Sequence, residues 1–341
     1  MDLAPVEERG MRETARSYFP WMGNKERMAP DIRQGFPPKF SPYAEPFGGS
    51  GAVLLGLPAD PGRLDIYNDL DENLSNLFLC VKEKTGQLLQ ELGFLPIHSR
   101  AIFQLYKDFL AHKELHWEVY ERNVREELAL LDDQTCFTKE QAEELRPILK
   151  KRLELYDVHR AAIFYQNIRG SFSGTVTSFG VKAPRIYTAI PLILAASRRL
   201  EDVVIESKDA VRLILERDQP EALFYCDPPY YDAEKCYQPL FSKRAHVRLW
   251  RTLLRCKGYV VLSYNDCAYI RNLYKDFYII AFRRDNPLAK KQGAEYKELL
   301  ITNYDPRPFM TSQLTLFDAP AVKLEMELVH IPRRPLKIIK F

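Results

Sequence analysis

Residues 224–232 read FYCDPPYYD, so a carboxylate, two prolines and two aromatic rings follow directly on a short apolar run. Pro228 and Pro229 preset φ near about −65° and withdraw two amide donors. The Asp227 carboxylate and the neighbouring carbonyls, that of Pro228 included, are then held outward as fixed acceptors. An amino group donating to both keeps its lone pair free to attack a methyl group, while Tyr230 offers a face on which a flat ring stacks. A planar heterocycle with an exocyclic amine satisfies every part of that arrangement. In isolation, Asp-Pro-Pro is also an ordinary turn.

Two further stretches give the amine a methyl donor. YAEPFGGSGAVLL, from Tyr43, sets a glycine-rich turn between an apolar run and a helix. Glycine there lets the backbone approach a ligand closely, or serves steric needs alone. About twenty residues on, DIYNDLDENL places Asp69 at the end of the next apolar run, where a carboxylate accepts hydrogen bonds from a ribose diol. Asp69 and Asp71 are equally suited to cap the following helix. The chain shows neither GxxxxGK[ST] nor GxGxxG, so a nucleoside without phosphates fits better than a nucleotide. S-adenosylmethionine, with a ribose, an adenine and a sulfonium amino acid, has that chemistry, and no metal is called for.

The elements that must position these residues are apolar runs at 40–51, 63–69, 202–209, 222–229, 258–266, 277–285 and 297–305. Most are apolar on both faces and are separated by helix-length segments, which predicts an α/β fold with a largely parallel sheet. Between the second and third runs, residues 73–165 show apolar residues at three- and four-residue steps, the pattern of an inserted helical lobe. Residues 166–185 turn to Gly, Ser and Thr with interleaved Phe, as a loop or hairpin does. The division expected is a catalytic first half at 1–85, the lobe at 86–200, a catalytic second half at 201–305 and a tail at 306–341.

At 341 residues, 46% hydrophobic and 28% charged, with a net charge of +3, the composition is that of a soluble globular protein, and a cytoplasmic location is expected. No run reaches the roughly 20 apolar residues of a membrane helix. Six scattered cysteines without a CxxC pair suggest neither a zinc site nor a disulfide framework. Charge is uneven: residues 161–200 hold Arg169, Lys182, Arg185, Arg198 and Arg199 and no acid, a stretch suited to facing phosphates.

PWMGNK, AEPFGGSG, NDLDEN, DPPYY and ELLITNY, in that order over roughly residues 17–305, resemble the Dam-like (D12 class) adenine-specific DNA methyltransferases. The resemblance implies a Rossmann-like S-adenosylmethionine-dependent methyltransferase sheet with an inserted DNA-recognition lobe, acting on adenine N6 in double-stranded DNA. It further implies that Trp21 and Lys25 join the cofactor site, Lys25 against the methionine carboxylate. Glu45, Pro46, Phe47, Gly48, Gly49 and Gly51 would line the methionine, Asp69 would hold the ribose, and Asp209 would lie near the cofactor adenine. Asp227 would also touch the cofactor. Asn24 stands where the family usually has a second glycine. The ordinary alternatives are Trp21 as a core aromatic, Lys25 as a solvated charge and Asp209 as a helix cap.

By the same resemblance the family's DNA-contacting hairpin falls within 167–185. Arg169, Lys182 and Arg185 would meet phosphates, and Asn167, Ser171 and Ser173 would reach base edges. The tail peptide QLTLF resembles the motif by which bacterial proteins dock on the sliding clamp, with Gln313, Leu314, Leu316 and Phe317 as contacts. Cys226 adjoins the DPPY motif, but strand packing suits it better than nucleophilic chemistry. Two rival readings stand beside methylation of adenine: an N4-cytosine methyltransferase, and a silent DNA-binding or clamp-associated protein of the same fold.

Overall fold

The computed structural model describes residues 14–94, 99–111, 113–133, 135–153, 156–180, 186–231, 241–285, 295–310, 325–334 and 336–337. Gln313, Leu314, Leu316 and Phe317, together with Lys182 and Arg185, lie outside these residues. The chain divides into two compact units, one of residues up to Ser17, Asn24–Asp71 and from Arg199 onward, the other of Tyr18–Gly23 and Glu72–Arg198.

The first unit is built on a sheet of eight strands, β1 (Tyr43–Glu45), β2 (Asp65–Asn68), β3 (Val204–Glu206), β4 (Leu223–Cys226), β5 (Tyr259–Asn265), β6 (Tyr278–Asp285), β7 (Glu295–Thr302) and β8 (Glu325–His330), in the order β3-β2-β1-β4-β5-β7-β6-β8. The first five in that row are parallel, while β7, β6 and β8 pair antiparallel. Every residue of β1, β2 and β4 is buried, which is why these strands read as unbroken apolar runs rather than alternating ones. Helix Lys243–Leu254 starts behind Ser242, whose side chain accepts from the Ala245 amide. It turns His246, Leu249 and Leu253 inward at three- and four-residue spacing.

The sheet order reverses at β1, with β2 to one side and β4 to the other, so the carboxyl ends of β1 and β4 flank the crevice where open α/β sheets bind ligands. All seven expected runs form strands, but the sheet is parallel only through β5. Part of the expected tail joins it: EMELVH forms β8 against β6.

The second unit is helical, with helices Glu72–Glu83, Thr85–Phe94, Arg100–Ala111, Lys113–Leu130, Lys139–Leu153 and Tyr156–Gly170. It begins at residue 72 rather than 86, because Leu74, Leu77, Phe78 and Val81 bury one face of the first of these helices within it. Tyr165 donates to the Tyr18 carbonyl at 2.9 Å, and Arg160 bonds Asn73 and the Leu110 carbonyl.

In the first unit the buried Asp65 carboxylate is paired by Arg63 at 2.6 Å and by Arg199 at 2.7 Å, and Arg199 also donates to the Leu57 carbonyl. Removing one partner of a buried ion pair leaves uncompensated charge. Arg199→Ala should therefore lower the unfolding free energy by about 3 kcal/mol, read from chemical denaturation. A change near zero would show that Arg63 alone neutralises Asp65.

Candidate active site

The Asp-Pro-Pro-Tyr loop begins where β4 stops. Asp227 follows Cys226 directly, and its Oδ2 accepts from Lys25 Nζ at 2.7 Å. Lys25, only 5% exposed, also stands 4.9 Å from the ring centroid of Tyr230. The resemblance assigns Lys25 to the methionine carboxylate, and the ammonium lies on Asp227 at the edge of the same crevice. The other oxygen, Oδ1 of Asp227, is buried and has no hydrogen-bond partner among the described residues. Burial raises the Asp227 carboxyl to about 6, with the Lys25 charge and hydrogen bond pulling the other way.

Three strands hold this loop in shape. Tyr230 leans on Tyr264 of β5 with ring centroids 6.1 Å apart, and its hydroxyl lies 3.4 Å from Glu298 Oε2 on β7. Asn265 at the end of β5 donates to the Tyr231 carbonyl at 3.0 Å, while the Tyr231 ring stacks on Tyr269 at 4.2 Å. Cys226 is fully buried, and burial pushes its thiol well up, so it packs rather than reacts.

Beside β4, β1 delivers Glu45 and then the glycine turn. Glu45 is 2% exposed and accepts from the Tyr43 hydroxyl at 2.6 Å; burial raises it to about 8. Each glycine of the turn has a distinct cause. A Cβ on Gly48 would lie 2.3 Å from the Tyr67 ring, and Gly49 and Gly51 have φ of 50° and 62°, in the left-handed region. Asp69 binds this turn, its Oδ2 accepting from the Gly49 amide and its Oδ1 from the Asp71 amide, each at 2.9 Å. Burial raises the Asp69 carboxyl to about 6. Asn68, which the sequence reading passed over, is fully buried and donates to the carbonyls of Pro46 and Lys208, tying β1, β2 and the β3 loop together. Phe47 packs edge-on against Phe241.

Asp209 caps the helix Ala210–Arg217 through the Arg212 amide, and Arg248 pairs with both its oxygens at 2.7 and 2.9 Å. Trp21 belongs to the helical unit, where it meets Phe19 and Phe164 edge-on. Two expected base contacts are corrected. Asn167 is fully buried in its helix, and Ser171 is buried with its hydroxyl on the Ile168 carbonyl, so neither side chain is presented to a base edge in this conformation. Arg169 is half-buried at the end of the helix Tyr156–Gly170, and a single bridge joins Ser171 to Phe179 in the hairpin that follows. The backbone of Ser173 lies in the short helix Phe172–Gly174.

A closely approachable glycine turn, a neighbouring carboxylate and an unpaired acceptor at the end of β4 fit a sulfonium-bearing nucleoside and an amine together. The family described as D12 class N6 adenine-specific DNA methyltransferase matches residues 21–284 of this chain. The chain belongs to that family. It therefore methylates adenine in DNA from S-adenosylmethionine, and the N4-cytosine reading falls. Among its relatives, the Type II methyltransferase M1.LlaDCHI of Lactococcus lactis subsp. cremoris is 24% identical over 302 residues, 85% of this chain and 95% of that protein. No helix among the described residues is long and apolar enough to cross a membrane.

Glu45 makes the stability of this methyltransferase depend on pH. Its folded-state pKa of about 8 stands above the ordinary 4.5. The unfolded chain thus ionises first, and the contribution of Glu45, complete below 4.5, is lost as pH rises through about 8. Glu45→Gln should flatten the fall in Tm between about pH 5 and pH 8, measured by thermal melts across that range. An unchanged slope would assign the fall to other groups.

Proposed function

We propose that this enzyme methylates a flipped-out adenine whose N6 amine is held by Asp227 Oδ1 and the Pro228 carbonyl, with Tyr230 stacked on the purine. The observation that carries this reading is the buried Oδ1 without a donor. Leaving such an atom unsatisfied costs about 1–3 kcal/mol, a cost removed when the substrate brings the missing hydrogen. Lys25 on Oδ2 opposes the effect of burial and keeps the carboxylate ionised at neutral pH.

Adenine inside a duplex cannot present N6, so it must be extruded at a cost of a few kcal/mol. When bound, S-adenosylmethionine supplies an electrophilic methyl on a sulfonium sulfur. Asp227 Oδ1 and the Pro228 carbonyl accept the two N6 hydrogens and draw the nitrogen toward tetrahedral geometry, with its lone pair aimed at the methyl carbon. Methyl transfer to N6 would leave positive charge on that nitrogen, facing the Asp227 carboxylate. One N6 proton then passes to Asp227 Oδ1 and on to solvent. Asp227 and Glu298 give the site negative charge where that cation develops. Residues 45–51 and Asp69 would hold the donor, with Asp69 acting through the Gly49 amide as well as on the ribose.

The acid-free stretch 161–200, through Arg169, Lys182 and Arg185, would meet DNA phosphates, and a role in a restriction-modification pair would match the relative's description as a Type II methyltransferase. Docking of Gln313–Phe317 on a sliding clamp rests on the sequence QLTLF.

Transfer of labelled methyl from S-adenosylmethionine to unmethylated DNA, with mass spectrometry of the nucleosides, should yield N6-methyladenine. Asp227→Ala should cut the rate by about a hundredfold or more. Because the ionised carboxylate is the working form, kcat/KM should fall as pH drops through about 6. Full activity of Asp227→Ala, or an acid limb that this substitution leaves in place, would remove Asp227 from the role.

A further inference from the structure

Glu298 lies on β7, 5% exposed, and is the cross-strand partner of Asn265 on β5. These two neighbours grip successive residues of the amine-acceptor loop. Asn265 donates its amide to the Tyr231 carbonyl at 3.0 Å, and Glu298 Oε2 stands 3.4 Å from the Tyr230 hydroxyl. A buried carboxylate in an apolar strand bordered by Leu299 and Leu300 is costly unless it does something a leucine would not. The plane of the Tyr230 ring has two further restraints, the Tyr264 ring behind it and the Lys25 ammonium above it. Both act on the face of the ring, whereas Glu298 acts at its hydroxyl end.

We infer that Glu298 is a positioning residue for base capture: by accepting the Tyr230 hydroxyl, it fixes the ring plane on which the extruded adenine stacks. The inference rests on the reading of Asp227 and Tyr230 as the target-base site. The antiparallel β7, set between β5 and β6, brings this carboxylate to the end of β5 where the loop turns. The chemistry needs no new bond and no proton from Glu298. Its charge acts on a second atom, because the groups facing Asp227 are Lys25, Glu45, Tyr225, Cys226 and Glu298, and among them Glu298 raises the Asp227 carboxyl.

Three variants test this: Glu298→Leu, which removes acceptor and charge, Glu298→Gln, which keeps an acceptor, and Tyr230→Phe, which removes the donor. The first should lower kcat by about 10- to 100-fold, with the KM for S-adenosylmethionine unchanged. Glutamine should recover most of that loss while moving the acid limb of kcat/KM to lower pH, since a like charge beside Asp227 is gone. In the Tyr230→Phe background, Glu298→Leu should add little, because both substitutions break one contact. A duplex carrying 2-aminopurine at the adenine mapped by sequencing methylated DNA gives a direct signal. Its fluorescence on binding should be higher in Glu298→Leu than in the wild type, as the flipped base loses its stacking partner. Multiplicative losses for the double variant, or wild-type fluorescence in Glu298→Leu, would overturn the inference. If Glu298→Leu does not fold, Glu298→Ala takes its place both in the cycle with Tyr230→Phe and in the fluorescence measurement. Wild-type enzyme that yields no N6-methyladenine would instead defeat the underlying reading, so the two failures are distinguishable.

Discussion

The pairing of β1 with β4 is the constraint on which the site depends. Tyr43 lies opposite Leu223 and Ala44 opposite Phe224, two parallel segments some 180 residues apart in the chain. That register brings Glu45 and the glycine turn level with Asp227, so the loops proposed to hold methyl donor and target amine flank one crevice. Neither strand could be displaced by a residue without separating them, because every side chain of both is buried and a one-residue slip inverts their faces. The flanking strands add fine adjustment: Asn68 on β2 steadies the donor loop, and Asn265 on β5 with Glu298 on β7 steadies the acceptor loop.

Electrostatics around this crevice follow from burial. Glu45, Asp69 and Asp227 all sit above ordinary carboxylate values, for the same leading cause, yet they are satisfied to different degrees. Glu45 has a phenol, and Asp69 has two backbone amides. Asp227 has an ammonium on one oxygen and nothing on the other. Among these three carboxylates, Asp227 alone keeps a buried oxygen with no partner among the described residues, which is the atom the proposed amine contact uses.

Much of this was legible in the sequence, where chemistry and geometry coincide. The DPPYY loop, the glycine turn and the apolar runs that became β1 to β7 could be read because buried parallel strands have a one-dimensional signature and prolines fix a shape locally. Lys25 was found, but not its partner, since a contact across some 200 residues depends on the fold. Glu298 lies within ELLITNY, but its place beside Tyr230 follows from an antiparallel insertion that no local pattern encodes. Asn167 misled for the opposite reason: its residue type and hairpin neighbourhood suit a base reader, whereas the helix it sits on turns it inward.

The ion pair between residues 25 and 227 has a consequence for biosynthesis. The first unit is assembled from segments on either side of a long helical insertion, so the lysine leaves the ribosome some 200 positions before the carboxylate it neutralises. Translation thus produces the donor loop early and the amine acceptor late, with the strand that steadies it later still. A nascent chain that stops before residue 227 therefore holds the lysine without the carboxylate it pairs with.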